Sequence, residues 1–299
     1  MTPAAALWLR AARPATLSAA VAPVLVGSAV AFAAGGWDLA IFVAALTGAV
    51  LIQVGANYAN DLSDFLRGTD GPGRLGPPRV AATGVATPRE IALATAFAFA
   101  GATACGAYLA ITGGPPVIVV GLAAMLAALT YVGGPWPYGY HGLGDLACFA
   151  FFGPVPVATI EWLHRGTVGT AGIAASLAVG AVVTAILVVN NVRDINEDRR
   201  ARKRTLAVLI GEDNARREWE ALLAAAYLIV AAGGAALLWA WPAVVLPALT
   251  VPFAWRLRQR FRASTGRALN AVLRDTARLH LAFGGLFAAG VALSRLGAA

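Results

Sequence analysis

The chain is poor in charge, in histidine and in cysteine. Only 13% of its 299 residues are charged, against about 25% in an ordinary soluble domain. That deficit argues against a conventional soluble fold, and no hydrophilic block is long enough to form a soluble domain of its own. Cysteine occurs twice, at Cys105 and Cys148, each inside an apolar run. Both read as small packing residues, not as a disulfide or a metal pair. The three histidines, His141, His164 and His280, are widely scattered. No imidazole metal site has the spacing it needs.

What the chain has in excess is apolar sequence, at 59% of all residues. Segments near the roughly 20 residues that cross a bilayer lie at 16–34, 40–60, 91–112, 116–133, 143–163, 169–190, 219–240, 242–256 and 279–297. Backbone in lipid must satisfy its own hydrogen bonds, so these runs are helices. The pattern predicts one polytopic, all-α membrane domain over residues 1–299, built from about nine helices. The first is read as an uncleaved span, not a signal peptide, because many spans follow it. The eighth is short and holds Pro242, Pro247 and Pro252, so a kink is expected there.

Basic residues set the orientation. With Arg10 and Arg13 in the cytoplasm, the loops after the second, sixth and eighth helices also lie inside. They carry Arg67, Arg74, Arg79 and Arg89, then Arg193 through Arg217, then Arg256 through Arg278. Only Arg165 and Arg295 fall on the other side. This is the positive-inside bias of a multi-pass protein. It accounts for the net charge of +8 without a nucleic-acid partner, which would need a water-exposed basic fold.

Two polar stretches interrupt the apolar pattern. The first is Asn57-Tyr58-Ala59-Asn60-Asp61-Leu62-Ser63-Asp64, continuing to Asp70. The second is Asn190-Asn191-Val192-Arg193-Asp194-Ile195-Asn196-Glu197-Asp198. Each ends a helix on the cytoplasmic side, the second and the sixth. Asn57 and Asp61 are four apart, as are Asn190, Asp194 and Asp198, so each set lines one helical face. A lone acid at a helix end is ordinarily a solvated residue or a cap, and Asp70, Glu197, Glu212 and Asp213 can be read that way. Two matching rows are different. Like charges at this spacing repel, and a carboxylate at membrane depth costs roughly 2.5–3.5 kcal/mol. A cation is needed. Oxygen donors without imidazole or thiolate favour a hard ion, Mg²⁺ above all, held jointly with substrate phosphates. Asp61, Asp64, Asp194 and Asp198 are the candidate ligands.

The same residue types recur four helices apart, which suggests a duplicated four-helix unit with a ninth helix appended. Basic residues follow each row: Gly76-Pro77-Pro78-Arg79 after the first, and Arg202-Lys203-Arg204-Thr205 after the second. Arg79 and Lys203 are the candidates for stabilising a departing diphosphate.

Together these segments resemble the UbiA superfamily of intramembrane aromatic prenyltransferases. The resemblance runs from about residue 50 to residue 215. Tyr131-x-Gly133-Gly134-Pro135-x-Pro137, Gly142-Leu143-Gly144-Asp145 and Lys203-Arg204-Thr205-Leu206 look like its menaquinone branch. Gly68 stands where many members place a third aspartate of the first row, as that branch does. The resemblance implies a helical bundle around a central cavity that opens to the cytoplasm and, sideways, to lipid. It implies Mg²⁺-dependent transfer of a polyprenyl group from polyprenyl diphosphate to 1,4-dihydroxy-2-naphthoate, with loss of CO₂. It places the enzyme in the inner (plasma) membrane with its active site on the cytoplasmic face. Asn57, Asn60, Asn190, Asn191 and Arg204 would join Arg79 and Lys203 on the diphosphate. Tyr131 and Tyr138 would face the allylic group, and Asp145 the aromatic acceptor. Alternatives are another acceptor, such as 4-hydroxybenzoate or homogentisate, and an ion-coupled transporter. The last fits poorly, because carriers place their acids near the bilayer midplane and usually invert their repeats.

Overall fold

A computed structural model describes residues 8–68, 75–76, 79–81, 83–236 and 238–296. Asp70, Arg74, Pro77 and Pro78 lie outside the described residues. Those described are helical or irregular, with no strand among them. The helices are α1 (Ser18–Ala33), α2 (Leu39–Leu66), α3 (Pro88–Gly113), α4 (Pro115–Thr130), α5 (Gly144–Phe152), α6 (Pro154–Arg165), α7 (Thr170–Arg200), α8 (Leu206–Ile210), α9 (Glu212–Ala235), α10 (Pro242–Ala248), α11 (Val251–Ala263) and α12 (Leu269–Leu296).

Each expected apolar segment falls on a helix or on a broken pair. The fifth breaks at Gly153-Pro154 into α5 and α6, and the eighth into α10 and α11 near Thr250. Among the described residues, six helical spans are long and apolar enough to cross a membrane, with α5 and α6 counted together as Gly144–Arg165, or seven if the bent pair Trp8–Thr16 and Ser18–Ala33 is one span. The break at the fifth span follows from two sequence facts. Pro154 has no amide to donate, and Gly153 lies directly against α7. A Cβ on Gly153 would sit 2.5 Å from the Cα of Gly180 and 2.8 Å from the carbonyl of Ser176.

The central pillar is α7. Inside the protein lies 78% of its most apolar window, against 22% for α2. Its Ala178, Val179, Val182, Ala185 and Val189 pack with Trp219 and Leu223 of α9 and Phe283 and Phe287 of α12. Besides α1 with α12, two pairs pack most extensively, α2 with α3 and α7 with α9. These are the second and third members of each expected four-helix unit.

Contacts between residues distant in sequence sort the helix ends into two sets. At one end, the Asp38 amide donates to His164, Arg295 to the carbonyl of Phe32, and Trp162 to that of Gly113. There too, buried Glu161 accepts from Arg165 and from the Gly169 amide that opens α7. At the opposite end, α2, α7 and α12 meet through Arg79, Lys203, Arg193 and Asn270. Arg262 pairs there with Glu220, and Arg260 with Asp275. Arg165 and Arg295 thus lie opposite the basic loops, as the charge pattern requires.

Substituting Gly153→Val forces a side chain into the α7 backbone. Overpacking of this kind costs about 1–3 kcal/mol. A clearly lower melting temperature in detergent is expected, with Gly166→Ala, at a position whose Cβ would meet nothing within 4 Å, as a control whose cost is only the strain of its positive φ.

Candidate active site

The first polar row ends α2 and is buried: Asn57, Asp61 and Asp64 are each no more than 3% exposed. Its charge is met by a chain of cations. Asp61 accepts from Arg13 at 2.6 Å and from Arg79 at 2.5 Å. The same Arg79 fork reaches Asp64 at 2.5 Å, and Lys203 reaches the other oxygen of Asp64 at 3.2 Å. Asn57 donates to the Ala12 carbonyl at 2.9 Å, so the segment before α1 closes over this row.

The second row ends α7. Arg193 is buried and makes a bidentate pair with Asp194 at 2.5 and 2.7 Å. It also donates to Asn190 at 2.8 Å and to Asn270 of α12 at 2.9 Å. Asp198 is buried beneath the loop that carries Lys203 and lies within electrostatic reach of both Lys203 and Asp64. The two rows therefore converge, with Lys203 between them. Arg202 adopts a left-handed φ of 57°, which costs a non-glycine residue energy. That turn reverses the chain, and the Lys203 amide caps the Asp198 carbonyl at 2.8 Å.

Burial works against the Lys203 charge, but Asp64, Tyr140 and Asp198 outweigh it and hold its pKa above the ordinary value. For a lysine with a raised folded value, the pairing contributes fully below its unfolded pKa of about 10.4. It is lost only as pH rises through the higher folded value. The cation therefore persists across the physiological range.

Further residues surround the rows. Glu197 accepts from the Leu75 amide at 3.1 Å, and Asn270 donates to the Leu75 carbonyl at 2.8 Å. Glu197 is thus a loop anchor and not merely a solvated acid. Asp145 is buried at the start of α5 with Asn191 beside it, at 3.5 Å. The left-handed Gly134 and Gly142 bracket the turn that presents Tyr138 and feeds α5. Tyr131 and Tyr138 have ring centroids 5.5 Å apart. Burial, with a smaller effect from Cys148, pushes the Tyr138 phenol up to about 12, so it stays a neutral donor. Arg204 is exposed, and its main chain, not its side chain, bonds to Tyr140 at 3.0 Å.

A cavity of about 710 Å³ starts at this cluster. Arg13, Asn57, Asn60 and Asn190 line its polar end, and Tyr131, Tyr138 and Cys148 stand on its wall. Small residues hollow out the remainder, among them Ala45, Gly48, Ala102, Gly106 and Gly121 from α2, α3 and α4. The carboxylates of both rows adjoin the polar end without lining the void.

The donor chemistry fits Mg²⁺. Four carboxylates supply hard oxygens, with no thiolate or imidazole among them. Among the described residues, no three acid, histidine or cysteine side chains cluster closely enough to hold an ion alone. That is compatible with an ion usually bound through one or two carboxylates plus substrate phosphates.

The model of the UbiA prenyltransferase family matches residues 20–291. The chain belongs to that family. A 1,4-dihydroxy-2-naphthoate octaprenyltransferase of Mycobacterium tuberculosis is 40% identical over 274 residues, which is 91% of each chain. The Escherichia coli protein of the same name is 35% identical and covers 96% of each. A UbiA homologue from Archaeoglobus fulgidus, solved with DMAPP and Mg²⁺, shares the fold at a TM-score of 0.66 and 18% identity, covering 94% of this chain and 99% of that one. The apo homologue from Aeropyrum pernix matches at 0.69 and 20%, covering 93% and 97%. The chain is therefore a prenyltransferase of the UbiA type, and a multi-pass membrane protein.

Some residues of this polar cluster escape a reading by motif. Arg13 lies far upstream in a segment with no periodic signal. Asn270 sits on a helix without a motif. Arg193, three residues after Asn190, is visible in the motif but reads equally as one of the topological charges.

Removing one partner of a buried ion pair costs about 3–5 kcal/mol. Arg79→Ala is expected to lower the unfolding midpoint of the ligand-free protein strongly. Arg79→Lys is expected to rescue only part of that loss, because an ammonium cannot span two carboxylates as a fork does. Thermal unfolding in detergent checks both.

Proposed function

We propose that this protein transfers a polyprenyl group from polyprenyl diphosphate to 1,4-dihydroxy-2-naphthoate, with Mg²⁺, on the cytoplasmic face of the inner (plasma) membrane, within one domain spanning residues 1–299. The observation that carries the reading is the junction of a buried acid–base cluster with a deep apolar cavity. One end suits a diphosphate and the other a hydrocarbon chain. The named function of its bacterial relatives supports the acceptor.

Asp61, Asp64, Asp194 and Asp198 would hold Mg²⁺. When bound, the ion supplies positive charge that neutralises the diphosphate as it leaves. Arg79 and Lys203 are then the protein's own cations for the same oxygens. Each now rests on a carboxylate, so the loss of those pairings is offset by new bonds to phosphate. Asn57, Asn60, Asn190 and Asn191 offer amides at the mouth of the cavity. Cleavage of the allylic C–O bond leaves a cation. Tyr131 and Tyr138 present ring faces that attract it. The electron-rich ring of the acceptor forms the new C–C bond, and its carboxyl group leaves that carbon as CO₂. Asp145, held by Asn191, orients the acceptor.

The direct test is transfer by purified protein in detergent, with a panel of aromatic acids as acceptors. Dihydroxynaphthoate should be preferred, and chelation of Mg²⁺ should stop turnover. Asp64→Ala and Asp194→Ala should each lose about a hundredfold or more in kcat, the scale for removing a group that stabilises developing charge. Full activity in both variants would remove the metal-site assignment.

The cavity gives a separate prediction. Gly106 and Gly121 line it, and a Cβ at either would meet nothing within 4 Å. Gly106→Phe should therefore fill space without disturbing packing. It should reduce transfer from a long prenyl donor about tenfold relative to a short one, measured by competition between the two donors.

A further inference from the structure

Tyr140 has no role so far, yet its surroundings are unusual. It lies in the short turn Tyr138–His141, and its ring carries two cations. The Lys203 ammonium is 4.8 Å from the ring centroid and the Arg67 guanidinium 5.5 Å. Both cations belong to the acid rows: Arg67 follows Asp64 by three residues, and Lys203 pairs with Asp64 itself. The main chain fixes the ring in place. The Arg204 amide donates to the Tyr140 carbonyl at 3.0 Å, and the Tyr140 amide donates to that of Pro137 at 2.9 Å. Arg67 is tied to the same loop through the Gly134 carbonyl at 2.6 Å.

The hydroxyl is the telling atom. It is buried in the field of Lys203, Asp64 and Arg67. Among the described residues, the only group close enough to bond it, loosely, is the Lys203 ammonium, which can donate but not accept, so the hydroxyl proton has no acceptor. A buried hydroxyl proton without an acceptor costs free energy. An orphan of this kind in a native site calls for an explanation, and an absent ligand is one. An anion is the ligand suited to a donor set between two cations.

We infer that Tyr140 is a positioning and binding residue of the diphosphate subsite: its ring face aligns Lys203 and Arg67, and its hydroxyl is the donor left open for a phosphate oxygen. This rests on the reading of the acid rows as a diphosphate site. Ring–cation attraction in a desolvated setting is worth about tenfold or more in an equilibrium. A hydrogen bond to a charged group is worth roughly ten- to a hundredfold. The ring therefore holds the lysine in place even where the hydroxyl is lost, and the two contributions separate by substitution.

The test is steady-state kinetics of wild type, Tyr140→Phe and Tyr140→Leu with prenyl diphosphate and dihydroxynaphthoate, alongside magnesium pyrophosphate binding by calorimetry. Tyr140→Phe keeps the ring and should fold as wild type, with an unchanged melting temperature. It should lose about tenfold in kcat/KM for the prenyl diphosphate and in pyrophosphate affinity, while the KM for the acceptor stays put. Tyr140→Leu should lose more. An active wild type with Tyr140→Phe at wild-type kcat/KM and pyrophosphate affinity overturns the inference alone. A wild type that neither turns over nor binds magnesium pyrophosphate overturns the reading of the site beneath it.

Discussion

The interaction on which the rest depends is the alternating run of buried charges Arg13–Asp61–Arg79–Asp64–Lys203. No carboxylate in it can be buried alone, because isolated charge in a weakly polarisable interior is prohibitively costly. The run joins the segment before α1, the end of α2, the loop after it and the loop after α7. Electrostatics therefore fixes how two halves of the molecule meet. It also keeps cations beside acids next to the polar end of the cavity.

Much of this was legible in the residues. The all-helical character of the apolar segments, the kinked eighth segment, the two polar rows and their shared end all followed from hydropathy, proline and four-residue spacing, whereas of the nine segments expected to span, six or seven are long and apolar enough among the described residues. The breaks were partly legible. Pro242, Pro247 and Pro252 announced one, but the Gly153-Pro154 break needed the close approach of α7, a tertiary fact absent from a local window. Site residues divide in the same way. Arg79 and Lys203 stood beside their rows, and the structure joins them to Asp64. Arg204 stood there too, yet its side chain is exposed, because the reversal at Arg202 turns alternate residues to opposite sides. Arg13 and Asn270 act across long separations, where charge and periodicity carry no information about partners.

The cavity shows how composition serves function in this fold. Alanine is the commonest residue on its walls, with glycine beside it, and a bundle of larger side chains would have filled the same volume. Small residues lower the packing that each helix gains, a loss least harmful where the neighbouring medium is hydrocarbon. The compensating rigidity lies elsewhere, along α7 and its contacts with Trp219, Phe283 and Phe287. A dense half and a hollow half thus share one chain. The acid rows sit at their boundary.

The segment before α1 has a consequence for biosynthesis. Arg13 reaches Asp61 across 48 positions of sequence, and Asn57 holds Ala12 across 45. Residues made before α1 thus find their partners only after α2 has been made. Lys203 arrives later still. The segment that precedes α1 is therefore among the last to reach its final state, although it is made before the helices it closes over.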